Sequence, residues 1–428
     1  MEAAIDRSPN NKYHRRAMTV EQARALLLRC AQPADAVEVE LVDAFGRRLA
    51  ASVQTEEPIP HFRRSGMDGY AVRTSDLANV NAAAPVELEV IEHIPCGVEP
   101  QYMITVGKAA RIMTGAMVPE GADAVIMQEM TELVESEGRS IVRIQKKVAS
   151  GTNITPIGEE AREGTLVLEA GERIGAGHTA ILASLGYSRV PVYRKPKVAI
   201  LSTGSELLQL SDPMQMGKIR NSNAYMLSAQ IIAAGGQPQL IGQIPDDYPR
   251  AEQMLYDLLS SDADLIVTTG GVSVGDYDIM ADFFLRWEGT TLFNKIAMRP
   301  GSPTTAGSWR NKLLFGLSGN PSACFVGFEL FVRPVIQQLQ GAVVDHAQTV
   351  TCHLAVDYKK VNAYPRYVRG YWYSNGGEHY AKPVGRDKSS AILSLKEANC
   401  LIVIPPTKTG FPAGDIVQII PLDGAMSK

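Results

Sequence analysis

Asp264-Leu-Ile-Val-Thr-Thr-Gly-Gly-Val-Ser-Val-Gly275 is a short apolar run that breaks at once into glycines and hydroxyl side chains. Two further segments repeat the arrangement. Lys197-Val-Ala-Ile-Leu201 leads into Ser202-Thr-Gly-Ser-Glu206, and Lys312-Leu-Leu-Phe-Gly-Leu317 leads into Ser318-Gly-Asn-Pro321. Continuous apolar runs of this length, uninterrupted by polar alternation, read as strands buried on both faces. Between them the text turns helical, over 223–234, 250–259, 279–286 and the long apolar stretch 322–339, with one more strand over 239–244. Strand–helix alternation of this kind predicts a mostly parallel sheet covered on both faces, an α/β domain spanning 192–340.

Outward from that domain the pattern changes. Thr19 can cap a first helix, with Glu21 early and Ala, Leu and Arg continuing to Leu28. Residues 17–60 and 153–191 carry short β-like runs and one helix near 178–185, which predicts an extended linking domain. Between them, 61–152 is strand-like text (VELEVIEHI, DAVIMQE, SIVRIQKKV) without long helical stretches and reads as a small β-rich domain. After Gly341 the text is again strand-like, with Gly376-Gly377 and Pro405-Pro406 as punctuation, and predicts a C-terminal β-barrel over 341–428. The fold class expected is therefore multidomain α/β plus β.

Composition excludes several functions. The formal net charge of −4 over 428 residues offers no general field for nucleic acid. No apolar run approaches the roughly 20 residues of a membrane span. The five cysteines, Cys30, Cys96, Cys324, Cys352 and Cys400, form no CxxC or Cys/His pattern, which argues against structural zinc and fits a reducing cytoplasm. Residues 1–16 are polar and basic and read as a disordered lead-in rather than a signal peptide.

The chemistry gathers at the three turns. Ligands of parallel sheets collect beyond the carboxyl ends of the strands, where all three lie. Glycines let backbone N–H groups converge on an anion, and the helix beginning at Pro321 adds its partial positive charge. One such turn can serve only to reverse the chain; three at one sheet edge point to a phosphorylated ligand. Neither GxxxxGK[ST] nor GxGxxG is present, so kinase-type and dinucleotide-type readings lack their key features. Asp246, Asp247, Asp276 and Asp278 fall in loops near that edge, with Asp68 in a distant Ser65-Gly-Met-Asp-Gly-Tyr70 stretch. Each alone reads as a solvated loop acid; beside phosphate they suggest a hard cation such as Mg²⁺. Lys295 and Arg299 supply complementary charge. Arg366, Arg369, Arg386 and Lys388, by spacing alone, read as surface charges.

Seven motifs then stand in register: SGMDGYAV (65–72), RIMTGAMVPEGADAVIMQE (111–129), GEE (158–160), STGSEL (202–207), TTGGVSVGDYD (268–278), AMRPGSP (297–303) and GLSGNPSA (316–323). Together they resemble the MoeA family of molybdopterin molybdenumtransferases, which includes the E domains of gephyrin and its plant counterpart, over about residues 19–421. The resemblance implies a MogA/MoaB-like α/β domain and insertion of molybdate into adenylylated molybdopterin, with Mg²⁺ as cofactor and AMP leaving. It further implies a homodimer whose site is shared between subunits, with a molybdopterin adenylyltransferase as upstream partner. Carried over by position, it assigns Asp68, Glu160, Asp247 and Asp278 to catalysis, and Glu206, Asp247 and Asp278 to the metal. Substrate binding falls to Thr114, Thr203, Gly204, Glu206, Gly270, Gly271, Ser273, Gly275, Lys295, Arg299, Pro303, Gly319, Asn320, Pro321, Arg369 and Ser390.

The chain departs from the family pattern at Ser302, where lysine is common, and at Ser205 and Asn221, where aspartate is common. Ser318 stands where proline is usual and Glu160 where aspartate is. The change at Ser302 removes one cation from the expected oxyanion pocket. It keeps open an alternative, a non-catalytic molybdopterin-binding or scaffold paralogue, and a preference for tungstate.

Overall fold

The computed structural model describes residues 15–136, 138–273, 278–344 and 349–422. The chain divides into two units, residues 52–169 on one side and residues up to 51 together with 170 onward on the other.

The smaller unit is built on a six-stranded sheet ordered 124–127, 69–72, 108–112, 86–94, 139–144 and 131–136. Its pairings are antiparallel except that of Val86–Ile94 with Lys108–Ile112, which is parallel. The apolar side chains fill two cores, one around Val72, Leu77, Leu88 and Val142, the other around Ala71, Ile94, Ile112 and Val125. Two short pairings, Val53–Gln54 with Leu166–Leu168 and Arg64–Ser65 with Ile154–Thr155, close the unit where the chain enters and leaves.

The larger unit holds the α/β sheet. Its order is 237–244, 197–203, 265–269, 312–317, 305–309 and 290–293. The first four strands are parallel; 197–203, 265–269 and 312–317 carry the buried apolar runs expected of such a sheet, whereas the edge strand 237–244 is polar and partly exposed. The last two, Thr305–Trp309 and Thr290–Phe293, are antiparallel additions not among the strands expected from the sequence. They are short, rich in Thr, Gly and Ser, and lack the apolar run that marks their neighbours.

Helices Tyr248–Ser260 and Ile279–Arg286 cover one face of this sheet through Leu255, Leu259, Met280, Phe283 and Phe284. The other face packs against Ser222–Ala233, the helical stretch from Pro321 to Leu339 and the first helix, Val20–Cys30. Thr19 caps that first helix in a capping box. Its hydroxyl accepts from the Gln22 N–H, and the Gln22 side chain accepts from the Thr19 N–H. The long apolar helix after Pro321 is interrupted by a π-turn over Phe328–Val332. There Glu329, 8% exposed, pairs with Arg333 and accepts from Gln230 of the neighbouring helix.

The C-terminal strands close into a five-stranded barrel, Val350–Leu354, Glu378–Pro383, Arg366–Asn375, Cys400–Ile404 and Ile416–Pro421. Its interior is filled by Val368, Ile402, Ile404 and Ile419 among others. Multidomain α/β plus β is thus the observed class. No helix among the described residues is long and apolar enough to cross a membrane.

Candidate functional site

A cleft of about 940 Å³ opens at the carboxyl ends of the central strands and is walled by all three glycine turns. The turns are tied to the sheet and to one another. Gly270 N–H donates to the Leu317 carbonyl (2.9 Å), and the Thr269 hydroxyl donates to the Ser318 carbonyl (3.1 Å). Gln243 donates to the Gly204 carbonyl at 2.7 Å. Glycine is required at 270 on two counts: φ is +96°, and a Cβ would stand 2.3 Å from Thr203 Oγ1.

Of the residues expected at the site, Thr203, Gly204, Glu206, Gly270, Gly271, Ser273, Asp278, Pro303, Gly319, Asn320 and Pro321 line this cleft. Gly275, like Asp276, lies outside the described residues. Asp247 is not on the wall. Its carboxylate caps the Tyr248–Ser260 helix, accepting from the Arg250 N–H at 3.1 Å, and the preceding Asp246 lines the cleft instead. Tyr248, Asp282, Arg220 and Asn223, which no sequence motif singles out, also line it. Tyr248 opens its helix and Asp282 lies in the first turn of its own, where periodicity reports packing and is silent about which end faces a ligand. Burial, then the neighbouring Glu252 carboxylate, pushes the Tyr248 hydroxyl up to about 12.

The loop after Gly270 is held from the N-terminal side by Arg15, in a region expected to be a lead-in. Its guanidinium donates to the carbonyls of Val272 (3.0 Å), Ser273 (2.6 Å) and Asn294 (3.2 Å). Burial lowers its pKa and the nearby Asp278 opposes that shift.

The basic stretch and the barrel meet the third turn. The Arg299 N–H donates to Pro365 and the Tyr367 N–H to Arg299, both carbonyls, so this segment runs along the barrel strand. The Ser322 N–H at the start of the Pro321 helix is taken by the Ser389 carbonyl at 3.0 Å, which seats the loop carrying Ser390 at that helix end. Arg299 and Ser390 are exposed and Lys295 is half-buried.

Arg369 is not a surface charge: it is 1% exposed. Its Nε donates to Ser394 Oγ (2.9 Å) and one Nη to the Arg386 carbonyl (2.9 Å). The other Nη, like the Nε of Arg366, is buried with no hydrogen-bond partner. Burial holds the Arg369 pKa below its ordinary value. Ser302 is 9% exposed, with its hydroxyl donated to the Ile296 carbonyl at 2.8 Å.

Asp387 anchors the barrel side of this region, accepting from Tyr358 (2.7 Å), Lys360 (2.9 Å) and Arg366 (2.8 Å). Burial raises its pKa, but these three donors outweigh burial and leave it below the usual carboxylate range. A depressed folded-state pKa adds stability above the unfolded value of about 3.9, and that stability is lost as pH falls through the folded value. Asp387→Asn should therefore lower unfolding stability by about 2 kcal/mol at pH 7. The deficit should shrink below about pH 4, as urea titrations at several pH values would show. A deficit independent of pH would mean that packing, not charge, is lost.

In the smaller unit, Asp68 accepts from both the N–H (2.6 Å) and the hydroxyl (2.7 Å) of Thr114, and these two bonds hold its carboxyl below the usual range. The Cys96 thiol lies against the Thr114 carbonyl at 2.8 Å. Glu160 faces Arg64 at 3.9 Å. Among the described residues no group of three or more His, Cys, Asp or Glu side chains is arranged to hold a metal by itself.

With this geometry in place, three family models match the chain in order. They are the MoeA N-terminal region (domain I and II) over 18–186, the "Probable molybdopterin binding domain" over 199–338, and the MoeA C-terminal region (domain IV) over 351–422. The chain is 44% identical over 382 residues to the molybdopterin molybdenumtransferase of Bacillus subtilis, covering 89% of each protein. It is 40% identical over 384 residues to that of Staphylococcus epidermidis, covering 90% of each. A crystal structure of a molybdopterin biosynthesis MoeA protein from Pyrococcus horikoshii superposes with a TM-score of 0.80 at 32% identity, covering 95% of this chain and 100% of that one. Sequence, domain order and fold agree, and the chain belongs to the MoeA family of molybdopterin molybdenumtransferases.

Proposed function

We propose that the chain inserts molybdate into adenylylated molybdopterin and releases AMP, giving the molybdenum cofactor. The observation that carries the reading is the convergence of three glycine turns on one cleft that Glu206, Asp246, Asp278 and Asp282 also line, with the loop carrying Ser390 seated at the third turn. Backbone N–H groups and the Pro321 helix start suit the phosphoanhydride. Molybdate is a tetrahedral dianion, suited to Arg299, Lys295 and the Ser390 hydroxyl, with the buried guanidiniums of Arg366 and Arg369 supporting the same corner. Holding the oxyanion against the dithiolene sulfurs makes their meeting intramolecular, which supplies much of the rate advantage.

The acids fit a Mg²⁺ ion in one mode only. Glu206 and Asp278 line the cleft with Asp246 and Asp282, and no all-protein cage is formed among the described residues. Mg²⁺ is commonly held by one or two carboxylates plus substrate phosphates, so Glu206 and Asp278 would hold it, with Asp247 acting as the cap of its helix. When bound, such an ion would supply charge neutralisation at the departing phosphate. Asp68, Thr114 and Glu160 belong to the same chemistry as acidic and positioning groups, brought by the second subunit of a homodimer. A molybdopterin adenylyltransferase would supply the substrate.

The scaffold alternative rests on Ser302. Because that hydroxyl is bonded inward, the position is neutral and closed rather than an oxyanion ligand. Ser302→Lys is expected to tighten molybdate binding about tenfold by adding a charge-assisted contact. It should cost about 1 kcal/mol of stability through the lost buried hydrogen bond. Calorimetric titration with molybdate and a urea unfolding curve measure the two effects, and unchanged affinity would remove Ser302 from the oxyanion account. The function itself is tested by supplying adenylylated molybdopterin, molybdate and Mg²⁺ and assaying active cofactor by reconstitution of an apo-molybdoenzyme. No reconstitution above a protein-free control would leave only the scaffold.

A further inference from the structure

Asn223 binds two of the three turns together. It lies in the first turn of the Ser222–Ala233 helix, is 8% exposed and lines the cleft. Its Nδ2 donates to Thr269 Oγ1 at 2.8 Å and to the Gly319 carbonyl at 2.9 Å. The partners themselves dictate how the amide is turned. The Gly319 carbonyl can only accept, and the Thr269 hydroxyl spends its proton on the Ser318 carbonyl, so both contacts require the NH₂ group. The Oδ1 atom is buried and has no hydrogen-bond partner, so the amide is held here through its two donors.

Those donors reach different turns. Thr269 opens the second and Gly319 belongs to the third. The backbones approach closely, for a Cβ on Gly319 would lie 3.4 Å from Gly270 Cα. Glycine-rich turns carry little conformational preference of their own and hold a fixed separation only when tied. The strand ladder ties them at the base, where Thr269 pairs with Leu317. Asn223 ties them at the cleft.

We propose that Asn223 is a positioning residue that fixes the spacing of the second and third turns, so that the cleft prefers a ligand with two joined phosphoryl groups over one with a single phosphate. This rests on the reading that the cleft holds a phosphoanhydride, and it identifies the residue that measures its length. A single phosphate needs only one turn. A diphosphate engages both, and gains fully only when their separation is set before it arrives.

The test is calorimetric titration of the full chain with inorganic pyrophosphate and with inorganic phosphate, at constant Mg²⁺, for the wild type, Asn223→Leu and Thr269→Val. Leucine has nearly the shape of asparagine, brings no charge and donates nothing, so electrostatics between ligand and residue do not enter the comparison. The wild type is expected to favour pyrophosphate by about tenfold or more. That ratio should fall about tenfold in Asn223→Leu and should also fall in Thr269→Val, which loses one Asn223 contact together with the Thr269–Ser318 bond, with phosphate affinity held within about threefold. An unchanged ratio in Asn223→Leu, or an equal loss for both ligands, overturns the assignment and leaves the transferase reading standing. A wild type that binds pyrophosphate no better than phosphate overturns both. If Asn223→Leu fails to fold, Asn223→Ala, which removes both donors and leaves the Thr269–Ser318 bond in place, decides the matter on the same ratio.

Discussion

Asp278→Asn is expected to lower turnover about a hundredfold or more while leaving molybdopterin affinity within about threefold. Asp278 stands at the start of the Ile279–Arg286 helix, where its main-chain carbonyl accepts from Ala281 N–H and its side chain makes no capping bond. Asparagine preserves the shape and the turn and removes the charge. Under the proposed function that charge would help hold Mg²⁺ near the leaving phosphate, an interaction that would strengthen as negative charge develops and so act on turnover rather than on ground-state binding. Nearby Arg15 would then lose its electrostatic neighbour, but its three carbonyl acceptors remain. Steady-state rates set beside equilibrium binding give the comparison. Parallel losses in both would assign Asp278 to support of the loop alone.

Arg369→Lys is the second large effect. The guanidinium is buried and forks between Ser394 Oγ and the Arg386 carbonyl, which holds the loop carrying Ser390. That loop in turn takes the Ser322 N–H at the start of the Pro321 helix. Lysine keeps the charge but offers a compact ammonium in place of a planar fork, so it satisfies fewer of these acceptors. A loss of about 2–4 kcal/mol in unfolding stability is expected, together with a rise of about tenfold or more in the molybdate concentration needed for half-maximal rate. Urea unfolding and molybdate titration check the two separately. Wild-type behaviour in both would show that the buried fork matters to neither the barrel nor the oxyanion.

The parts of the fold that were legible are those whose burial is written in the residues themselves. Val198 to Leu201 and Leu313 to Leu317 are buried on both faces, and an uninterrupted apolar run has no other stable use. Thr305–Trp309 escaped because its Thr-Ala-Gly-Ser text takes its burial from the neighbouring strand and from Trp287, which packs where a Gly307 side chain would be. The π-turn escaped because Phe328–Val332 keeps a helical apolar pattern, and the buried Glu329 that accompanies it looks like any helix acid until Gln230 and Arg333 are seen beside it.

The site shows the same division. Glycine turns announce themselves, since Gly270 and Gly204 need backbone angles that few other residues adopt. Side-chain direction does not. Asp246 and Asp247 are equivalent as text, yet only one lines the cleft while the other caps a helix. Arg369 reads as a surface charge by spacing, and the resemblance to MoeA proteins is what placed it near substrate. Its burial and its hydrogen bonds could come only from the fold of the barrel. Asn223 carries no motif signal, because its importance lies in two turns far away in the chain.

Under the proposed function, molybdate insertion and cleavage of the phosphoanhydride are coupled in one cleft. That coupling is read out by AMP release from adenylylated molybdopterin by the wild-type chain with Mg²⁺, followed with and without molybdate. Release that depends on molybdate and saturates with it is the predicted result. Release at the same rate without molybdate, or none above a protein-free control, would contradict it.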